Sequence, residues 1–347
     1  MTTVHSWQAL VDLGSLARWM DGKHLGSGPI EAVTTLAGGT QNILIAFSRA
    51  HRRYVLRRPP LHPRANGNDT MRKEMRVLAA LAGTDVPHAR LIAGCPDTDT
   101  LGASFYLMEP VAGFNVTVEV PQLHASDPAI RRAMGFALID GIVRLGRVDH
   151  AAVGLADLGK PDGFLERQVS RWQQQLESYA DYEGWPGPNT LPGVRRLADW
   201  LSRNCPRSFR PGIMHGDYHL ANVMYRYDGP ELAAIVDWEL ATIGDPLLDL
   251  AMVLTTWPRT DDTTSMKIEP WEGFPNVVEL GSAYAADTNR NLSALPWYLV
   301  LACFKLGILL EGTHARACAG KADVRVGARF HARTLALFQR ALTQISN

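Results

Sequence analysis

Between Ala32 and Arg58 apolar and polar residues alternate with the short period of β-strands, which predicts a β-meander. Val33–Leu36, Ile43–Phe47 and Tyr54–Arg57 are its apolar runs, and GGTQN at Gly38–Asn42 supplies turn residues between the first two. The period then changes. Met71, Met75, Leu78 and Leu81 recur every three or four residues, so a helix is expected with Asn68-Asp69 at its N-cap and Val86-Pro87 as its stop. Two more strand-like runs follow, Arg90–Ala93 and Phe105–Met108, separated by the loop Cys95–Leu101. Strands, one helix and strands again predict a compact α+β unit over residues 1–110.

Beyond Val111-Ala112-Gly113 the texture is mostly helical, to residue 347. Asp127-Pro128 pairs an N-cap with proline at the first helical position and opens a helix toward Arg147. Leu165, Val169, Trp172, Leu176 and Tyr179 form a stripe whose best reading is core. Gly184–Pro192 reads as a loop, and Val194, Leu197 and Leu201 begin another helix. After Trp257 come a polar loop and three helices, the last near Val326–Ile345. The most apolar stretch, Leu295–Leu310, is interrupted by Lys305 and is shorter than the ~20 residues that span a bilayer. A buried core helix is expected there.

Charge alters this picture in one place. Lys plus Arg equals Asp plus Glu at 35 each, which gives no overall pull toward nucleic acid or an anionic membrane. Yet between Pro211 and Leu250 Arg226 stands alone against Asp217, Asp228, Glu231, Asp237, Glu239, Asp245 and Asp249. Carboxylates gathered this densely call for a partner such as a divalent cation. The cysteines, Cys95, Cys205, Cys303 and Cys318, show no CxxC and no Cys/His cluster in sequence. That speaks against disulfides or structural zinc and for a reducing, cytoplasmic setting. The start, MTTVHSWQALVDLG, lacks the basic-then-apolar layout of a signal peptide.

The acidic segment reads HGDYHLANVM, a turn at Tyr227–Pro230, then LAAIVDWELATIGDPLLDLA. Asp217 and Asn222 are five residues apart, and Asp237 ends the apolar run Leu232–Val236. A loop–strand–turn–strand unit of this length brings the three side chains together. Phosphoryl transfer uses such a set: one carboxylate to orient or deprotonate a hydroxyl, a carboxamide and a second carboxylate to hold Mg²⁺ on nucleotide phosphates. Asp217 is therefore the expected catalytic group, with Asn222 and Asp237 as metal ligands.

With Gly-Asp-Pro at Gly244–Pro246 and Asp249 added, the segment resembles the Brenner-type motif of the aminoglycoside phosphotransferase and choline kinase superfamily. The resemblance covers nearly the whole chain. It implies a bilobal protein-kinase-like fold: a five-stranded N-lobe with one helix over 1–110, a hinge, and a helical C-lobe over 111–347. It also implies ATP as donor, with GTP left open, Mg²⁺, and a small-molecule hydroxyl as acceptor. Gly38, Gly39, Thr40, Gln41 and Asn42 stand at the nucleotide-phosphate loop. Arg57 takes the place of the phosphate-contacting lysine, a departure from the commonest pattern. Arg58 is its competitor, since strand alternation should turn only one of them inward. Glu74 becomes the helix carboxylate that pairs with Arg57. Met108, Glu109 and Val111 resemble the adenine-binding hinge, and Pro110 has no N–H, so Glu109 and Val111 carry that role. His215 would brace the catalytic loop and Asp249 would anchor it. His219 stands where protein kinases place a lysine and would face the phosphoryl group.

FLERQVSRWQQQL and IVDWELATIGDPLLDLA further resemble the kinase-like domain fused to some eukaryotic acyl-CoA dehydrogenases and its stand-alone bacterial relatives. For that branch the implied acceptor is the chain hydroxyl of a hydroxyacyl-CoA. The slight basic excess over Pro121–Arg210, 12 basic against 10 acidic residues, suits such an acceptor better than a polycationic aminoglycoside. An aminoglycoside kinase remains the alternative, and a non-catalytic pseudokinase would need a broken catalytic set. Oligomeric state is not encoded in these motifs.

Overall fold

The computed structural model describes residues 11–36, 42–60, 66–259 and 266–346. Its first half holds helix α1 (Leu13–Gly22), strands β1 (Glu31–Thr35), β2 (Ile43–Arg49) and β3 (Arg52–Arg58), helix α2 (Gly67–Leu81), and strands β4 (Leu91–Cys95) and β5 (Phe105–Met108). The five strands form one antiparallel sheet in the order β1-β2-β3-β5-β4. Each face of the sheet carries a helix. Ile45, Phe47, Tyr54, Leu56, Phe105 and Leu107 pack with Leu16 and Met20 of α1, whereas Tyr106 joins the cluster of Met71, Met75 and Leu78 from α2.

Two expectations change here. The sheet carries two helices rather than one, because Asp12 caps α1 on Ser15 N and Leu16 and Met20 bury its apolar face. The N-cap of α2 is Asn66, not Asn68-Asp69. The Asn68 carboxamide is used elsewhere, accepting the Ser104 N–H at 3.0 Å.

The second half is helical around a small β-hairpin. Helices α3 (Gln122–Ser126), α4 (Pro128–Arg147), α5 (Glu166–Glu177) and α6 (Val194–Arg203) lead into strand β6 (Gly212–Met214). Strands β7 (Val223–Tyr225) and β8 (Leu232–Ile235) pair with each other, and β9 (Thr242–Gly244) returns to pair with β6. Helices α7 (Leu247–Thr256), α8 (Val277–Asp287), α9 (Leu295–Cys318) and α10 (Val324–Gln344) complete the chain. At α4 Asp127 accepts the Ala129 N–H, the N-cap bond expected ahead of a proline at the first helical position.

Helix α9 runs 24 residues, longer than the apolar stretch suggested, and is by length and composition able to cross a membrane. It lies instead in the core, packed against α5, α6, α7 and α10. The two halves meet where Ile235 N donates to Pro87 O and His88 bridges to Ile235, while Phe114, just past the linker, exchanges backbone hydrogen bonds with Tyr225. That seam holds the sheet over the hairpin.

Candidate active site

The hairpin β7–β8 and the loop before it gather the acidic residues. Gly216 must be glycine: its φ is +83°, and a Cβ would lie 2.4 Å from Leu240 O. The turn it allows lets Asp249, from the first turn of α7, accept both the His215 N–H (2.7 Å) and the Gly216 N–H (2.9 Å). Asp249 is fully buried, and that burial pushes its carboxyl up to about 6 although the two N–H groups and Lys305 favour the charged form. The His215 ring donates from Nε2 to Val236 O at 2.9 Å, because its Nδ1 faces the Asp217 N–H. Burial lowers its basicity, so it serves as a neutral brace between loop and strand end.

Asp217 and Asn222 meet directly. The Asn222 amide donates to Asp217 O at 2.9 Å and lies 3.3 Å from Asp217 Oδ2. Burial works against the Asp217 charge, yet the hydrogen bond and charge of His219, then Lys305 and His215, hold the carboxyl well below its usual range. His219 lies beside this carboxylate: its Nε2 is 3.5 Å from Asp217 Oδ2 and its Nδ1 accepts the Ala221 N–H. Asn222 O accepts the Val236 N–H at 2.9 Å, so Asp237 follows directly on the strand that Asn222 holds. Asp237 adopts a left-handed backbone (φ +67°), a conformation that costs a non-glycine residue roughly 1 kcal/mol and that clusters at functional sites.

From the sheet, Arg57 reaches both carboxylates. Its Nη2 lies 2.6 Å from Asp237 Oδ1 and 3.1 Å from Glu74 Oε1. Its Nε is 2.9 Å from Glu74 Oε2, but that N–H is not aimed at the oxygen, so this contact is ionic rather than a hydrogen bond. Burial opposes the guanidinium charge; Glu74 and Asp237 more than offset it and raise its pKa. The cross-strand partner of Arg57, Tyr106, donates to Glu74 Oε2 at 2.7 Å. Burial pushes the Glu74 carboxyl up, against the pull of Arg57 and Tyr106.

The alternation argument for Arg57 and Arg58 is half right. They do point to opposite faces, but both are buried, Arg58 donating to Leu101 O and Pro59 O on the side away from Glu74. Alternation decides direction, and α1 and the loop before β5 cover the second face as well. At the expected hinge, Met108 pairs with Val55 and Leu91. The Glu109 N–H is already donated to Arg90 O at 2.9 Å, so Glu109 offers only its carbonyl to a ligand. Val111 keeps an N–H with no backbone partner among the described residues. Gly38, Gly39, Thr40 and Gln41 lie outside the described residues; Asn42 immediately precedes β2.

Three supporting residues were not singled out by motif. Lys305, fully inside α9, donates to Gly216 O beneath the loop that carries Asp217, with the Asp217 and Asp249 charges acting on it. A lysine in the otherwise apolar stretch Leu295–Leu310 was the available signal, since a buried cation needs a partner. Asn115 donates to Ala221 O (2.7 Å) and Val223 O (3.0 Å), clamping the loop from the linker. Tyr106 is the third, and an alternating strand gives no sign of its hydroxyl contact.

The donor set suits a small hard cation. Asn222 Oδ1 accepts no hydrogen bond among the described residues, and the Asp237 side chain is 39% exposed beside it. Residues 32–268 match the phosphotransferase enzyme family. The chain belongs to that family. Its members phosphorylate hydroxyl groups of small molecules, and this phosphotransferase shares their kinase-like α+β fold. It is 31% identical over 304 residues to Acyl-CoA dehydrogenase family member 11 of Pongo abelii, a match covering 84% of the chain. The chain spans only 37% of that relative's length. A crystal structure from Ralstonia eutropha JMP134, provisionally an aminoglycoside phosphotransferase, superposes with a TM-score of 0.79 at 28% identity, covering 96% of this chain and 99% of that one. The GDP and kanamycin complex of APH(2")-IIIa shares the fold at 16% identity, with a TM-score of 0.62 over 96% of this phosphotransferase and 99% of the other chain.

Proposed function

We propose that this phosphotransferase moves the γ-phosphoryl group of ATP to the hydroxyl of a small anionic acceptor, a hydroxyacyl-CoA being the best candidate. The observation that carries the reading is the continuous network Asp217–Asn222–Val236/Asp237–Arg57–Glu74, which joins the loop of one half to the sheet of the other. A complete set of this kind argues against a pseudokinase. Asp217, ionised and one-third exposed, accepts the hydrogen bond of the incoming hydroxyl and aims its oxygen at phosphorus. Asn222 Oδ1 and Asp237 would hold Mg²⁺, which when bound neutralises charge on the nucleotide phosphates. On nucleotide binding the Arg57 fork exchanges Asp237 for phosphate oxygens while Glu74 keeps it in line. Met108, the Glu109 carbonyl and Val111 N–H would frame the base, and the segment Gly38–Asn42 would cover the phosphates.

Charge near the loop favours an anionic acceptor over a polycationic one. A cavity of about 310 Å³ is lined by Lys160, Arg167, Gln168, Arg171, Gln174 and Thr242, with no carboxylate in its wall. It borders the site, since Thr242 pairs with Met214, next to His215, and the Arg171 charge acts on Lys305. The test is ATP consumption and phosphorylated product across panels of hydroxyacyl-CoA, aminoglycosides and amino alcohols. Turnover confined to hydroxyacyl-CoA is expected, and turnover confined to kanamycin-like compounds would replace this acceptor class.

A further inference from the structure

In the helical half, the end of α9 and the middle of α10 bring four metal-binding side chains together. Glu311, His314 and Cys318 sit at i, i+3 and i+7 on one face of α9, and His331 comes from α10. The two helices can approach this closely because Gly327 faces Ala317: a Cβ on Gly327 would lie 2.4 Å from the alanine methyl. Glu311 is 0% exposed. Its Oε1 accepts the Trp185 indole N–H at 2.8 Å and its Oε2 lies 2.8 Å from His331 Nδ1. The His314 ring stacks on His331 with centroids 4.3 Å apart, and Cys318 Sγ is 3.7 Å from His314 Nε2. One ligand atom each from Glu311, His314 and His331 lies within 4.8 Å of the others.

We propose that this pocket is a structural zinc site, with Glu311, His314, His331 and Cys318 as ligands. Two imidazoles, one thiolate and one carboxylate are the donors zinc takes, and tetrahedral bonds of about 2.0–2.3 Å place them roughly 3.5 Å apart. The Glu311 and histidine atoms already lie within 4.8 Å of one another and Cys318 Sγ is 3.7 Å from His314 Nε2, and on binding their staggered side chains rotate to that spacing around the ion. A buried carboxylate also gains from a cation, because its charge is costly inside the protein. The site is graded from a dry floor at Glu311, through half-buried histidines, to the exposed Cys318, which leaves a path for the ion to enter. Bound zinc would tie α9, α10 and the Trp185 loop together. Spacing of the cysteines alone hides it, since only one of the four ligands is a cysteine and the fourth residue lies a helix away.

The test uses the full chain, freed of metal by chelator and carrying Asp237→Asn so that the catalytic carboxylates do not report. Zinc titration followed by calorimetry and native mass spectrometry should give one equivalent. His314→Asn and Cys318→Ser should each weaken binding at least tenfold and remove the zinc-dependent rise in Tm. As an independent readout on the unmodified ligand set, Co²⁺ should give a thiolate-to-metal charge-transfer band, absent in Cys318→Ser. Substoichiometric binding, or affinity unchanged in His314→Asn, overturns the site and leaves Glu311–His331 a plain hydrogen bond. An unchanged affinity and spectrum in Cys318→Ser overturns the four-ligand set.

Discussion

Replacing Lys305 by methionine removes a buried cation while nearly keeping side-chain volume. In the structure the ammonium, 4% exposed, donates to Gly216 O and stands over the Trp172 ring at 5.7 Å. Burial lowers its pKa, and the charges of Asp217 and Asp249 oppose that fall. Removing one member of a buried charged group costs about 3–5 kcal/mol. Here the lower end applies, because Asp249 keeps two backbone N–H donors and Asp217 keeps His219. About 3 kcal/mol, felt where the loop carries Asp217, corresponds to roughly a hundredfold loss in kcat. Lys305 is buried and bonds to the loop backbone, so the effect expected of it is on the position of Asp217. Steady-state kinetics of Lys305→Met should show kcat down about a hundredfold with nucleotide KM nearly unchanged. The acid limb of the kcat–pH profile should also move upward, since Lys305 is one of the charges that depress Asp217. An unmoved acid limb with kcat within a few-fold of wild type would refute the reasoning, as would a loss that merely tracks the unfolded fraction.

Other outcomes follow from the same network. Arg57→Lys replaces a fork that serves two carboxylates by a point charge, and should lower kcat/KM for ATP about tenfold; Arg58→Lys should lower Tm while leaving the ATP kinetics near wild type. Asp237→Ala should abolish Mg²⁺-dependent nucleotide binding in a calorimetric titration, and unchanged affinity would remove Asp237 from the metal set. Asp249 titrates at about 6 when folded and near ~3.9 when unfolded. The folded chain therefore takes up that proton first, and this carboxylate's cost to stability, present above about 6, is relieved as pH falls toward ~4. Urea denaturation should show wild type gaining about 2 kcal/mol on Asp249→Asn between pH 7 and pH 4, and a flat difference would contradict the assignment.

The strands and most helices were legible because their apolar periods match their burial, as at Phe105–Met108 and Pro128–Arg147. Motif spacing brought Asp217, Asn222 and Asp237 to one place, since a short hairpin leaves the chain few ways to arrange them. What stayed hidden depends on contacts between distant segments. The Lys305 partner lies 89 residues away in sequence, and the Tyr106 hydroxyl reaches Glu74 across 32. Which hinge backbone groups are free was hidden for a similar reason, because only the folded chain sets Arg90 O against the Glu109 N–H and leaves its carbonyl. Helix α1 was missed because its apolar face is short and is completed by the sheet it covers.

The central claim is that Asp217 carries phosphoryl transfer to a hydroxyl. The most direct measurement follows labelled γ-phosphate from ATP into a hydroxyacyl-CoA with wild type and with Asp217→Asn at saturating Mg²⁺. Label should appear on the acceptor with wild type and fall by at least a thousandfold in the variant, while ATP affinity stays the same. Transfer by Asp217→Asn at a rate near that of wild type would contradict the account.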